Sequence, residues 1–281
     1  MSRKSLLKVE NLTFKYGAEP PVLKNISLDI AGGECIAVIG QNGAGKTTLA
    51  KHFNGMLKPV SGKFYVGGKD TGQLKVSVLA RTVGYVFQNP DHQIFHDTVA
   101  KEVAFGLKNF QLPNELITAR VAAALEAVGL TAHHATYPFN LSKGQRQRVA
   151  LASVLALQTE VIILDEPTTG QDYRESMQIM NLVKQLHQNG HTVIFITHDM
   201  SLVAEFAQRA VVLCDGKILA DGGVRSVFSQ PELLQKTFLK PPQITALAQS
   251  LNGYAVPPDI LKVEEMYELL KTRGEEIGCF N

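Results

Sequence analysis

The sequence predicts an α/β protein with four parts: an N-terminal antiparallel β subdomain, a mixed and largely parallel core sheet, an inserted α-helical subdomain and a small helical C-terminal extension. Three observations predict it. The first thirty residues alternate apolar and polar side chains, short wholly apolar runs recur further along, and helical periodicities fill the gaps between those runs.

The alternation runs through Leu7, Val9, Leu12, Phe14 and Tyr16, then Val22, Leu23, Ile26, Leu28 and Ile30. Punctuated by Gly17 and Pro20-Pro21, it reads as antiparallel strands. Cys35–Ile39 is continuously apolar, the mark of a strand buried on both faces. A Gly-rich turn follows, with a helix beginning near Gly45. Further buried strands are Val83–Phe87, Val161–Leu164, Val193–Ile196 and Val211–Leu213. Between them lie helical stretches at Val99–Phe110, Glu115–Val128, Gly144–Leu157, Tyr173–Gln188 and Leu202–Ala207. Buried strands alternating with helices imply a parallel sheet with crossover helices. The mostly helical block from about 98 to 158 interrupts that alternation, and reads as a subdomain inserted into a domain spanning 1–230. In 231–281 the period changes. Ile244, Leu247, Ala248 and Leu251, then Val263, Met266, Tyr267 and Leu270, mark two amphipathic helices separated by Gly253 and Pro257-Pro258. Both packing onto the main domain and a docking or dimerisation role remain open for them.

Composition narrows the class. Hydrophobic residues are 45% and charged residues 19%, which excludes a disordered chain. With 28 basic against 26 acidic side chains the net charge is +2, which supplies no basic footprint for nucleic acid, and no nucleic-acid partner is expected. Cys35, Cys214 and Cys279 lie far apart without CxxC spacing, and read as reduced thiols. The longest apolar stretch, Val149–Leu157, falls well short of the ~20 residues a membrane helix needs. The opening MSRKSLLKVE has no apolar h-region, so no signal peptide is expected.

Gly40-Gln41-Asn42-Gly43-Ala44-Gly45-Lys46-Thr47 fits GxxxxGK[ST], followed by Thr48. Glycines permit the positive φ that brings backbone N–H groups around a β-phosphate, and the helix that starts there aims its dipole at the same anion. Lys46 is expected to reach the β/γ-phosphates and Thr47 to ligate Mg²⁺. Val161–Leu164 ends in Asp165-Glu166, and ligands sit at strand ends in parallel sheets. Asp165 is expected to hold Mg²⁺ through water, and Glu166 to orient and deprotonate an attacking water. These two features imply ATP or GTP hydrolysis and nothing narrower.

Asn140-Leu141-Ser142-Lys143-Gly144-Gln145, just before that carboxylate strand, resembles the LSGGQ signature of ATP-binding cassette (ABC) proteins. The resemblance implies the P-loop NTPase cassette fold and further roles in order along the chain. Tyr16 would stack on adenine, Gln88 would be the Q-loop glutamine that senses Mg²⁺, Thr169-Gly170-Gln171-Asp172 the D-loop, and His198 the switch histidine holding the γ-phosphate. It also implies that two cassettes close head to tail on ATP. Each site would then be completed in trans by Ser142, Lys143, Gly144 and Gln145 at the start of a helix. Two departures stand out. Lys143 replaces the first glycine of the signature pair, and reads either as solvent-facing or as attracted to the γ-phosphate; Thr169-Gly170-Gln171 replaces the commoner serine-alanine-leucine.

Phe87-Gln88-Asn89-Pro90-Asp91-His92-Gln93, the 98–106 segment and Pro241-Pro242-Gln243-Ile244-Thr245 resemble the ATPases of energy-coupling factor transporters, importers of vitamins or transition-metal ions. By that resemblance the chain would sit at the cytoplasmic face of the membrane as a peripheral subunit. Its partners would be a second ABC ATPase, a transmembrane coupling protein received near Gln88 and the 91–106 segment, and a separate membrane protein that binds substrate. The alternative is a soluble cassette ATPase acting on nucleic acid or the ribosome. A regulator without catalysis ranks last, because Glu166 and His198 are both present.

Overall fold

The computed structural model describes residues 5–276, so Cys279 lies outside the described residues. β1 (Ser5–Phe14) and β2 (Leu23–Ala31) pair antiparallel. Val9 and Leu12 are three residues apart, and strict alternation would put them on opposite faces. A bulge between them, with Asn11 at φ 49°, returns Leu12 to the buried face. β3 (Cys35–Gly40) leads into α1 (Lys46–Phe53). β4 (Ser61–Val66) and β5 (Lys69–Asp70), joined through Gly67 and Gly68 at positive φ, complete the first sheet in the order β2-β1-β4-β5. The sequence reading contained no strand there. Only Phe64 and Val66 turn inward from β4, too few apolar positions to raise a period-2 signal.

α2 (Val76–Leu79) precedes β6 (Val83–Val86). Three helices then form the helical block: α3 (Val99–Asn109), α4 (Asn114–Ala127) and α5 (Lys143–Leu157). The chain returns through β7 (Val161–Asp165), α6 (Tyr173–Gln188), β8 (Thr192–Ile196), α7 (Met200–Phe206) and β9 (Arg209–Cys214). β10 (Lys217–Gly223) lies antiparallel at the edge, giving a mixed sheet in the order β10-β9-β3-β8-β7-β6. α8 (Val224–Phe228), α9 (Pro231–Lys236), α10 (Gln243–Ser250) and α11 (Val263–Glu276) follow.

Continuous apolar runs proved to be strands buried on both faces. Ile162 and Leu164 of β7, with Val193 and Phe195 of β8, pack toward the helices on one side. Val161, Ile163, Ile194 and Ile196 alternate with them and pack against the first sheet and α1. Each such side chain contributes about 1.5–3 kcal/mol on leaving water. α5 starts where its sequence dictates. Ser142 accepts from the Gln145 N–H while the Gln145 side chain accepts from the Ser142 N–H, a capping box.

The two C-terminal helices share a small core of Ala248, Val256, Ile260 and Met266. They are tied to the main body by Arg225–Glu265 (2.7 Å), Lys262–Glu205 (2.9 Å) and Gln249 donating to the Phe228 carbonyl (2.9 Å). The expected α11 stripe is only partly buried. Met266 packs inward, but Val263, Tyr267 and Leu270 are exposed, because the loop residues Val256 and Ile260 supply the contacts the stripe would have made. Among the described residues no helix is long and apolar enough to cross a membrane.

Phe195 is fully buried in β8. Phe195→Ala should destabilise the chain by about 3–5 kcal/mol, read as a lowered urea midpoint at unchanged m-value.

Candidate functional site

Parallel pairing of β3 with β8, of β8 with β7 and of β7 with β6 ends all four strands on one edge. Gly40 ends β3, and Gln88, Glu166 and His198 follow the ends of β6, β7 and β8; all four line one cavity of ≈ 1320 Å³. Gln41, Asn42, Gly43, Gly45, Lys46, Thr47 and Thr48 line it too. Glycine is required at Gly40, where φ is 150° and a Cβ would meet the Leu213 carbonyl oxygen at 2.2 Å. At Gly45, φ is 102° and a Cβ would press on Leu23 at 2.7 Å.

Lys46 is buried, and its Nζ donates to the Gly40 and Gln41 carbonyls at 2.8 Å each. Burial pushes its pKa down, opposed in part by Glu166 and Asp165. Asp165 is buried as well, and accepts from Thr47 Oγ1 (3.0 Å) and Tyr85 Oη (2.8 Å). Burial raises its pKa, against the lowering effect of those two donors. Glu166 adopts φ 46°, in the left-handed region uncommon for a residue with a Cβ. Its N–H donates to the Ile196 carbonyl (3.0 Å) and its carbonyl accepts from Thr169 N (3.2 Å), which hold the backbone there. The bend aims Oε2 at Gln88 Nε2 (2.8 Å) and Thr169 Oγ1 (3.0 Å), with His198 Nδ1 3.7 Å away.

Several expected site residues lie beside the cavity and not on its wall. The Tyr16 hydroxyl shares a hydrogen bond with Thr48 Oγ1 (3.3 Å), and its half-exposed ring stands edge-on to Phe14. Ala44 is buried in the turn. Ser142, Lys143, Gly144 and Gln145 are absent from the wall, as is Asp172, which caps α6 by accepting from Glu175 N (2.8 Å). Lys143 is exposed, but its amine does not run free: a methyl placed on Gly170 would come within 2.9 Å of Nζ. Gly144 in turn leaves room for the Glu175 carboxylate, which a Cβ would meet at 2.6 Å. The signature helix thus rests on the Gly170–Glu175 segment of its own chain.

Sequence reasoning missed Tyr85 and the side-chain role of Thr169. A tyrosine inside an apolar run reads as core, and only the buried acid on the neighbouring strand distinguishes it. Glu102 was also missed. It is buried, and its Oε2 accepts from the Phe95 and His96 N–H groups (2.9 and 2.8 Å), fixing the loop before α3. Arg146 of α5 pairs with Asp91 at 2.7 Å, joining that segment to the signature helix.

A phosphate cradle on a parallel sheet, with a carboxylate pair at the neighbouring strand end, defines a nucleotide-binding cassette. A family model described as "ABC transporter" matches residues 23–169, and the chain belongs to that family. It is 48% identical over 266 residues to a putative ABC transporter ATP-binding protein of Caldanaerobacter subterraneus subsp. tengcongensis, covering 95% of this chain and 46% of that relative. An energy-coupling factor transporter ATP-binding protein, EcfA1, of the same organism is 43% identical over 94% of this chain and 98% of its own length. Among solved structures, cbiO1 from Clostridium perfringens, described as part of the ABC transporter complex cbiONQ, superposes with a TM-score of 0.75 at 37% identity, covering 86% of this chain and 98% of that one. The chain spans about half the length of the first three curated relatives it matches.

Tyr85→Phe leaves the buried Asp165 carboxylate with one donor fewer. It should cost about 1–3 kcal/mol of stability in denaturant titration; a change below about 0.3 kcal/mol would show that Asp165 does not depend on the phenol.

Proposed function

We propose that this chain is the ATP-hydrolysing subunit of an energy-coupling factor importer of vitamins or transition-metal ions. One observation carries the chemistry: Glu166, held in the left-handed region beside the Lys46 cradle, has a single carboxylate oxygen gripped by Gln88 and Thr169. A carboxylate fixed in this way can accept a proton from a water placed against a γ-phosphate. In this reading the Gly40–Thr48 turn binds the triphosphate through backbone N–H groups and Lys46, which exchanges its two carbonyl partners for phosphate oxygens. His198 holds the γ-phosphate and the water, Gln88 responds to occupancy, and Tyr16 stacks on adenine. Thr169 is a positioning residue for Glu166.

The donor set fits Mg²⁺. Thr47 Oγ1 and Asp165 Oδ1 stand 3.0 Å apart as hard oxygen donors, and the Gln88 amide oxygen is left free once its Nε2 donates to Glu166. Thr47 and Gln88 would ligate the ion directly and Asp165 through water; when bound it would neutralise phosphate charge.

Because the signature residues are absent from this chain's own cavity wall, they serve a nucleotide on a second cassette, and Asp172 belongs to the same contact. The cavity exceeds the ~300–1,000 Å³ of ordinary small-molecule sites, which leaves room beside a nucleotide for that helix end. Phe95 and Phe105 are exposed and packed edge to face at 4.8 Å beside the Gln88 segment, and a transmembrane coupling protein docks on them. The Asp91–Arg146 pair links that dock to the signature helix. A separate membrane protein selects the cargo, and the chain works as a peripheral subunit at the cytoplasmic face. Residues 1–230 form the ATPase domain, with its helical subdomain at about 98–158. Residues 231–281 form an extension whose exposed Leu247, Tyr267 and Leu270 suit contact with the second cassette.

Glu166→Gln should retain ATP and accumulate a closed dimer in size-exclusion chromatography, while steady-state hydrolysis falls by ~10²–10⁴. Unchanged turnover would remove Glu166 from the role. Lys143→Gly should keep turnover within a few-fold; a loss of about a hundredfold, ~2.7 kcal/mol, would place that lysine on the γ-phosphate.

A further inference from the structure

Lys46 and Thr47 are not the whole of the cavity. Phe238, Leu239, Lys240, Pro241 and Pro242, between α9 and α10, and Gln243 at the start of α10 line it as well. Nothing in the cradle motif calls for this strap, and it is firmly seated. Thr237 is fully buried, with its hydroxyl within hydrogen-bond distance of the Leu233 and Leu234 carbonyls (2.9 and 3.1 Å). Leu239 packs against the main core, and its N–H donates to the Leu234 carbonyl at 2.9 Å. Pro242 is buried, and Thr245 just beyond donates to the Ile260 carbonyl at 2.6 Å. Two adjacent prolines stiffen the span between these anchors.

The charges on the cavity wall are unevenly committed. Glu166 is engaged by Gln88 and Thr169, and Asp199 caps α7 by accepting from Ser201 N and Leu202 N. Lys46 is held by two carbonyls. Carboxylates on and beside the C-terminal helices are taken too, Glu265 and Asp259 by Arg225 and Glu205 by Lys262. Lys240 is exposed, lines the cavity and makes no ion pair among the described residues. A cation on a four-carbon stem, carried by an anchored backbone into a site for a polyanion, is suited to bind phosphate charge.

We propose that Lys240 is a nucleotide-binding residue, so that the C-terminal extension forms one wall of the ATP site in the same chain. This rests on the assignment of the cavity to ATP. Occupancy would then be linked to the seating of α10 and α11, because the strap that meets the phosphates is continuous with them.

The test is equilibrium binding of Mg·ATP and of adenosine to the full chain at low and high salt, comparing wild type with Lys240→Gln, Lys240→Arg, Lys236→Gln and Lys46→Ala. Lys236 is exposed at the end of α9 and does not line the cavity, so it controls for net charge. Lys240→Gln should weaken ATP about threefold to tenfold at low salt, between the worth of an exposed pair and that of a charge-assisted hydrogen bond. The gap should shrink at high salt, adenosine should be unaffected, and Lys240→Arg and Lys236→Gln should bind as wild type does. Wild-type ATP affinity in Lys240→Gln, with Lys46→Ala defective, would overturn this inference alone. An equal loss in Lys236→Gln would overturn it as well, by reducing the effect to net charge. Wild-type ATP affinity in Lys46→Ala would instead overturn the assignment of the cavity to ATP.

Discussion

Parallel pairing obliges neighbouring strands to finish on the same edge of a sheet, and here that constraint assembles the site. β3 ends at Gly40, β7 at Asp165 and β8 at Ile196, while β6 ends two residues before Gln88. Because β3, β8, β7 and β6 are consecutive neighbours in the sheet, loops from distant parts of the chain open onto one cavity. Both faces of these strands are buried, by the helices on one side and the first sheet on the other, so their register is strongly specified. A one-residue slip of β7 would turn Ile163 and Leu164 to the wrong layers and carry Asp165 and Glu166 with them.

Within that frame the two buried charged groups beside the cavity each hold partners. Asp165 is removed from water but holds two hydroxyl donors, and Lys46 is removed from water but holds two carbonyls. Uncompensated, either burial would cost several kcal/mol. In the proposed reading, Lys46 exchanges those partners for stronger, charged ones on a phosphate. Glu166 differs in kind. Its left-handed backbone costs on the order of 1–3 kcal/mol, and the surrounding loop over-determines it through hydrogen bonds from both ends of the bend. That cost fixes the direction of one carboxylate oxygen.

The groups around the cavity are also connected to surfaces remote from it. Asp91–Arg146 ties the segment after Gln88 to the signature helix, while Lys143 and Gly144 rest against the Gly170–Glu175 segment that follows Glu166. The strap from α9 to α10 adds a third connection, toward the C-terminal helices. Each is short and passes through packed or hydrogen-bonded groups.

Local features were legible in the sequence because contiguous residues decide them. The Gly40–Thr47 turn, the buried runs of β3, β7 and β8 and the helical block all follow from backbone preference and side-chain period. The residue types at Asp165-Glu166 marked a strand end correctly. Only the tertiary structure gave Tyr85 and Thr47 a common acid, aimed Thr169 and Gln88 at Glu166, buried Glu102 under the Phe95–His96 turn and set Lys240 on the cavity wall. Most of these join residues separated by dozens of positions, and a pairwise hydrogen bond across such a distance leaves no periodic trace in the chain. Thr169 is only three residues from Glu166, yet its bond depends on the left-handed bend at Glu166, which β8 anchors from across the sheet through the Ile196 carbonyl.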